Sequence, residues 1–297
     1  MAAIASAVQH LLRITALNTA PAAYAPILRL QEMLFEQRMR GLIPDTLLQL
    51  EHSHVYTMGK RGRPEDFRTE AAALAACGAE VASIPRGGET TYHGPGQLVL
   101  YPILNLREAS GLGLGARAYV EGLEDVMVAT LGRYGIAARG RVPGKTGVWV
   151  GERKIGAVGV RISRGTTCHG VALNVSTDLS YFRHIVPCGT PDKDVTSVHR
   201  QLALGHGRAA GQQQQQWPPP PRAAARAGSH LEAPAAAPAA PLLTQPSLQQ
   251  VAADLVDTFV AHFGYARLEP LPDVLELAAQ LGCSSPIGSA AAEGRGG

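Results

Sequence analysis

Between Lys154 and Gly189 the chain reads KIGAVGVRI, then TTCHGVALNV, then YFRHIVPCG. The first two runs alternate small and branched residues with the two-residue period of half-buried strands. Strict alternation puts Ile155, Ala157, Gly159 and Arg161 on one face and Lys154, Gly156, Val158 and Val160 on the other. In the second run it sets Cys168, Gly170, Ala172 and Asn174 opposite His169, Val171, Leu173 and Val175. Faces this small predict either room for something that is not protein or a tight crossing of strands. A linear acyl chain suits such room: about seven methylene-sized groups at ~0.8 kcal/mol each contribute roughly 5 kcal/mol when buried.

The third run brings Cys188, set between Pro187 and Gly189. Proline holds the residue before it extended, and glycine lets a ligand approach the backbone closely. A free thiol titrates above neutrality, so a nucleophilic cysteine needs a nearby cation or a helix N-terminus, and Lys154 is the cation on offer. A lysine that starts a half-buried strand is partly desolvated, which favours its neutral form and suits it to proton transfer. The same residues also admit a plain reading, in which Cys188 fills an apolar space and Lys154 is a strand-end charge.

The rest of the chain limits what this stretch can belong to. Of 297 residues, 45% are hydrophobic, enough for one core of about 200 residues once a long low-complexity segment is set aside. A net charge of +3 is too small to argue for nucleic-acid binding. Cys77, Cys168, Cys188 and Cys283 form no CxxC pair and read as free thiols in a reducing compartment. No apolar run approaches a membrane span. Residues 1–18 lack acids and contain Arg13, which suits a short organellar presequence at residues 1–9; a mitochondrial location is expected, with plastid or cytoplasm as alternatives.

In chain order, a strand is expected at His10–Leu17, an amphipathic helix from about Pro26 to Gly41, and a strand at Thr46–Leu50. HSHVYTMGKRGRPEDF reads as a loop, and its Lys60, Arg61 and Arg63 as a solvated cluster or a docking patch for an acidic carrier protein. RGGETTYHGPGQLVLY, Arg86 to Tyr101, has glycines around Tyr92 and His93 that imply backbone bent close to a ligand, followed by a strand at Leu98–Tyr101. Tyr119, Leu123, Val126, Met127, Leu131 and Tyr134 recur at helical spacing. GRVPGKTG has one residue too few between its glycines for a P-loop, which excludes a nucleoside triphosphatase on that motif. Thr146–Val150 is a further strand. Residues 205–246, with polyglutamine, consecutive prolines and Ala/Pro repeats, predict a disordered insert, and residues 283–297 a disordered tail. Between them, Ser247 and Gln250 form a capping box that opens a helix ending at Gly264.

Five motifs in order, RGGETTYHGPGQLVLYPI, TGVWV, KIGAVGVRI, HGVALNV and PCG, resemble the octanoyltransferase family, also called lipoate-protein ligase B. The likeness covers about residues 10–204 and the last helix, so it implies one catalytic domain made of 10–204 and 247–268. It implies an α+β fold like that of biotin and lipoate protein ligases, a mixed β-sheet flanked by helices. It also implies transfer of octanoyl from octanoyl-acyl carrier protein to a lysine of lipoyl domains, such as those of glycine cleavage H protein or 2-oxoacid dehydrogenase subunits. The enzyme so implied acts as a monomer, with no metal, no ATP or other cofactor, no nucleic acid and no membrane. By position, Cys188 would hold the acyl thioester and Lys154 would lower its pKa. Substrate binding would fall on Arg86, Gly87, Gly88, Glu89, Thr90, Thr91, Tyr92 and His93, with further contacts from Ala157, Val158, Gly159, Gly170, Val171 and Ala172.

Three other readings compete. An ATP-dependent lipoate or biotin ligase shares the implied fold but needs no nucleophilic cysteine. A metal-binding protein would use Cys168, His169, His184 and Cys188, although adjacent residues of one strand point to opposite faces. A cysteine hydrolase would need His93 or His169 as base.

Overall fold

The computed structural model describes residues 11–107, 113–186, 194–205 and 245–283. The expected presequence, most of the insert, nearly all of the tail, and Cys188 with its neighbours 187–193 lie outside the described residues.

The central element is an eight-stranded mixed sheet in the order β10-β8-β9-β6-β2-β1-β11, with β7 also paired to β8. Its strands are β1 (Leu11–Thr15), β2 (Asp45–Leu50), β6 (Gln97–Ile103), β7 (Val148–Val150), β8 (Arg153–Ser163), β9 (Thr166–Asn174), β10 (Asp194–Val195) and β11 (Arg267–Leu271). β3 (Val55–Met58), β4 (Glu80–Ser83) and β5 (Thr90–His93) form a second sheet in the order β4-β3-β5.

Helices cover both faces of the large sheet. α3 (Ala116–Arg133), α4 (Val198–Gly205) and α5 (Leu248–Phe263) pack on one face around Leu98, Leu100, Ile155, Val171 and Leu173. α1 (Tyr24–Met39) and α6 (Val274–Gln280) pack on the other, against Leu48, Val99, Tyr101, Cys168 and Ala172. A strand with one helix layer on each side buries both its faces, and β6 and β9 are buried at every position. The short α2 (Ala71–Ala76) leads into β4.

The described start of α5 carries the expected capping box. Ser247 Oγ accepts from the Gln250 N–H at 3.1 Å, Gln250 Oε1 accepts from the Ser247 N–H at 2.7 Å, and Gly264 ends the helix at φ 71°. Each such cap contributes about 1 kcal/mol.

The expected loop at 52–67 is partly strand. Val55–Met58 pairs antiparallel with β5 in the register Val55↔His93 to Met58↔Thr90. Its β-branched and aromatic residues outweigh the polar flanks once they have a partner to bury against. The folded core also continues past residue 268. β11 pairs in parallel with β1, and Val274, Leu277, Ala278 and Cys283 join the core beneath α1.

Candidate active site

The antiparallel pair β8–β9 sets Ala157 opposite Ala172 and Gly159 opposite Gly170. Their wall borders a cavity of about 260 Å³. Arg86, Gly87, Gly88, Glu89, Thr91 and His93 line it from the β5 side, and Lys154, Ala157, Val158, Gly159, Gly170, Val171 and Ala172 from β8 and β9. The period of two in β5 separates the remaining expected residues from these. Thr90 and Tyr92 face away: Thr90 Oγ1 donates to Asp66 Oδ2 at 2.7 Å, and the Tyr92 ring stacks on Tyr181 at 4.9 Å.

Not all the small residues make room for a ligand. A Cβ on Gly170 would run into the Leu100 carbonyl of β6, and one on Gly159 would stand 3.1 Å from Arg86 Cδ and 3.2 Å from the Gly87 oxygen. Gly170 therefore serves the strand crossing, and Gly159 makes way for the Arg86 side chain. Arg86 is 6% exposed and donates to the Thr57 carbonyl and hydroxyl at 2.8 Å each and to the Gly87 carbonyl at 2.9 Å. Ala157 and Ala172 are the small residues that leave cavity.

Strict alternation would place Lys154 on the face opposite Ala157. Instead, Val148 pairs with Gly156 and the next residue, Trp149, pairs with Lys154, so Ile155 is an extra residue in β8. This bulge turns Ile155 and Gly156 both toward α3, where a Cβ on Gly156 would meet Met127 Sδ, and leaves Lys154 and Ala157 both on the cavity. Lys154 is 8% exposed, donates from Nζ to the Thr146 carbonyl at 3.0 Å, and lies 4.9 Å from the centre of the Trp149 ring. The carbonyl accepts a hydrogen bond from Nζ, and the aromatic face lies within cation–π distance, so the amine is held in one place.

The alternation of β9 also breaks at His169, whose φ of 59° is rare for a residue with a Cβ. Its N–H donates to Gln31 Oε1 at 3.2 Å, the oxygen that Cys168 Sγ contacts at 3.7 Å, and its ring meets Tyr101 edge-on at 6.0 Å. Cys168 and His169 thus share the α1 side, contrary to the opposite faces expected of adjacent residues. His184 is bonded to Thr69 Oγ1 at 2.8 Å, and among the described residues no three His, Cys, Asp or Glu side chains group to hold an ion.

Burial governs the titration of the inner wall. It pushes His93 down to about 3, aided by His52, and His169 down to about 3, aided by Arg86 and Arg161. His52 falls to about 4 by burial, while the Cys168 thiol is pushed up to about 12. At neutral pH these imidazoles are uncharged hydrogen-bonding groups, and Cys168 is an inert thiol. Arg61 of the basic cluster reaches the rim, where Nε pairs with Glu89 Oε1 at 2.8 Å. Tyr24, Ile84, Tyr101, Lys145 and Trp149 also line the cavity. Tyr101 and Trp149 lie in motifs that the sequence singles out, whereas nothing local marks Tyr24, Ile84 or Lys145 as cavity residues.

The described chain on either side of 187–193 is anchored by backbone hydrogen bonds, on the later side next to Lys154. The Val186 N–H donates to the Asp66 carbonyl at 2.7 Å, and Val195 pairs with Lys154 itself. Phe182 and Val195 border a small cleft together with Lys154, Ala157 and Ala172.

Residues 23–210 match the lipoyl protein ligase A/B catalytic domain. The mitochondrial octanoyltransferase of Arabidopsis thaliana is 51% identical over 178 residues, 60% of this chain and 74% of that protein. The octanoyltransferase of Solibacter usitatus is 53% identical over 182 residues, 61% of this chain and 79% of that protein. The chain belongs to the octanoyltransferase family. It is an enzyme, an acyltransferase of protein lipoylation. Its fold is that of solved lipoate protein ligases. A T. acidophilum lipoate protein ligase with bound lipoic acid superposes with a TM-score of 0.58 at 15% identity, over 92% of both chains. Lipoate-protein ligase A bound with ATP does so with a TM-score of 0.57 at 15% identity, over 92% of this chain and 93% of that one.

Proposed function

We propose that the enzyme moves an octanoyl group from octanoyl-acyl carrier protein to a lysine amine of a lipoyl domain, through a thioester on Cys188. The observation that carries this reading is the bulge at Ile155, which puts one ammonium, Lys154, on the same wall as the two alanines that leave room for an acyl chain.

The steps balance without an added reagent. Cys188 thiolate attacks the donor carbonyl, the new C–S bond forms, and the carrier's thiolate leaves with a proton from the Lys154 ammonium. The neutral Lys154 amine then takes a proton from the acceptor lysine as that nitrogen attacks the acyl-enzyme. The C–N bond forms, Cys188 leaves as thiolate, and both groups are restored. One thioester replaces another at little energetic cost and the amide is more stable than either, so the sequence of steps needs no ATP. His93 and His169, both pushed down to about 3, are poor bases for a thiol, which favours transfer over a hydrolase with a histidine partner.

In this reading Arg86–Gly88, Thr91 and His93 shape the cavity, Ala157 and Ala172 receive the chain, and Arg61 at the rim faces the incoming carrier. Residues 11–205 and 245–283 form one catalytic domain, the intervening stretch is an insert, the enzyme works as a monomer, and the mitochondrion is its compartment.

Mixing the enzyme with octanoyl-acyl carrier protein in the absence of ATP, followed by intact-mass measurement, tests the reading. A single octanoyl adduct that Cys188→Ala abolishes is expected, and adding a lipoyl domain should discharge it. An absolute requirement for ATP would overturn the proposal.

A further inference from the structure

Lys154 is held by a loop, and the loop is held by a carboxylate. Thr146 and Trp149, which fix the ammonium, belong to the stretch between α3 and β8, where Arg141, Gly144 and Gly147 have φ of 54°, 73° and 116°. Glycine adopts such φ freely, but at Arg141, which carries a Cβ, the surroundings must hold the backbone. Glu124 of α3 does so: the side chain is 2% exposed, Oε2 accepts from the Arg141 N–H at 2.7 Å, and Oε1 accepts from the Gly147 N–H at 2.6 Å. Gly140 closes down on the same side chain, since a Cβ there would stand 2.8 Å from Glu124 Cβ. Trp149 Nε1 donates to the Lys145 carbonyl at 3.2 Å, which ties the ring to the loop. A carboxylate buried this deeply is costly unless it is fully hydrogen-bonded, and burial raises the Glu124 carboxyl although both N–H groups oppose this.

We propose that Glu124 is a positioning residue for acyl transfer: by gripping the loop at Arg141 and Gly147 it sets the Thr146 carbonyl and the Trp149 ring, and through them the Lys154 ammonium. The inference rests on the reading of Lys154 as the amine that handles the proton. Glu124 does not line the cavity, so a change there acts through the loop and not through a lost ligand contact.

The test is the pH dependence of iodoacetamide alkylation, followed at the peptide carrying Cys188, in the wild type, Glu124→Gln, Lys154→Ala and the double variant. Glu124→Gln turns one acceptor oxygen into a donor facing an N–H. It is expected to raise the alkylation midpoint in the same direction as Lys154→Ala and to slow alkylation at pH 7 about threefold. Turnover should fall about tenfold with KM for the donor within about twofold, and the double variant should match Lys154→Ala alone. A purely structural role would lower the melting temperature without moving the midpoint. If Lys154→Ala moves the midpoint and Glu124→Gln does not, the inference is overturned while the Lys154 reading stands. If Lys154→Ala itself moves nothing, both fall. Glu124→Asp, one methylene shorter, should shift the midpoint the same way by less, and it carries the test where the glutamine variant yields no folded protein.

Discussion

Val195 stands in register with Lys154 across the parallel pair β10–β8, and the next residue, Thr196, donates its N–H to the Lys154 carbonyl at 2.9 Å. β10, the first described strand after Cys188, therefore lies on the backbone of the proposed partner of that cysteine. Lys154→Ala should reduce octanoyl transfer by about 10²-fold or more, a typical contribution of a positioned acid–base group. Cys188→Ala should remove the acyl-enzyme entirely, and Cys168→Ala should leave it visible by intact mass. An adduct that persists in Cys188→Ala and disappears in Cys168→Ala would reverse the assignment.

Ala157 and Ala172 are cross-strand neighbours that line the cavity. Ala157→Leu fills that space with three more carbons, worth about 2 kcal/mol of displaced chain at ~0.8 kcal/mol per methylene. Octanoyl transfer should fall about tenfold or more while butanoyl transfer changes less than about threefold. Equal losses for the two donors, measured as kcat/KM, would show that the chain lies elsewhere.

α4 and the start of α5 meet at a single described bond, from His199 Nε2 to the Pro246 carbonyl at 2.8 Å. The first turn of α4 thus touches the chain just before α5. Replacing residues 207–244 by a short Gly/Ser linker should keep the fold and the transfer rate within about twofold. Circular dichroism and the octanoyl assay read this out, and an unfolded product would refute the idea of an insert.

The buried imidazoles make stability depend on pH. His52, His93 and His169 are held near 4, 3 and 3, whereas in the unfolded chain they titrate at about 6.5. The unfolded state therefore binds more protons below that value. Their contribution to stability is complete above about pH 6.5 and is lost as pH falls toward their folded values, at up to ~1.4 kcal/mol per pH unit for each. Glu124, raised by burial, acts in the opposite sense, but it is one group against three. Urea midpoints should drop steadily from pH 7 to pH 5, and His93→Gln should flatten the slope.

Period and composition determined much of this protein by themselves. The alternation of β8 and β9, the helical spacing of α3, the capping box of α5 and the glycines around His93 are local signals, and each element formed where its residues repeat with the right period. The motifs also identify the family without a structure. Long-range contacts decided the rest. An extra residue at Ile155 turned Lys154 toward the cavity, a left-handed His169 rotated one ring to the α1 side, and β3 became a strand because β5 lay beside it. Whether a small residue leaves space for a side chain also depended on what approached it: the β6 backbone closes over Gly170, and the Arg86 side chain occupies the room at Gly159. A one-residue shift in a strand reverses every side chain that follows, and the free energy that selects the shift comes from neighbours far along the chain, which no local period records.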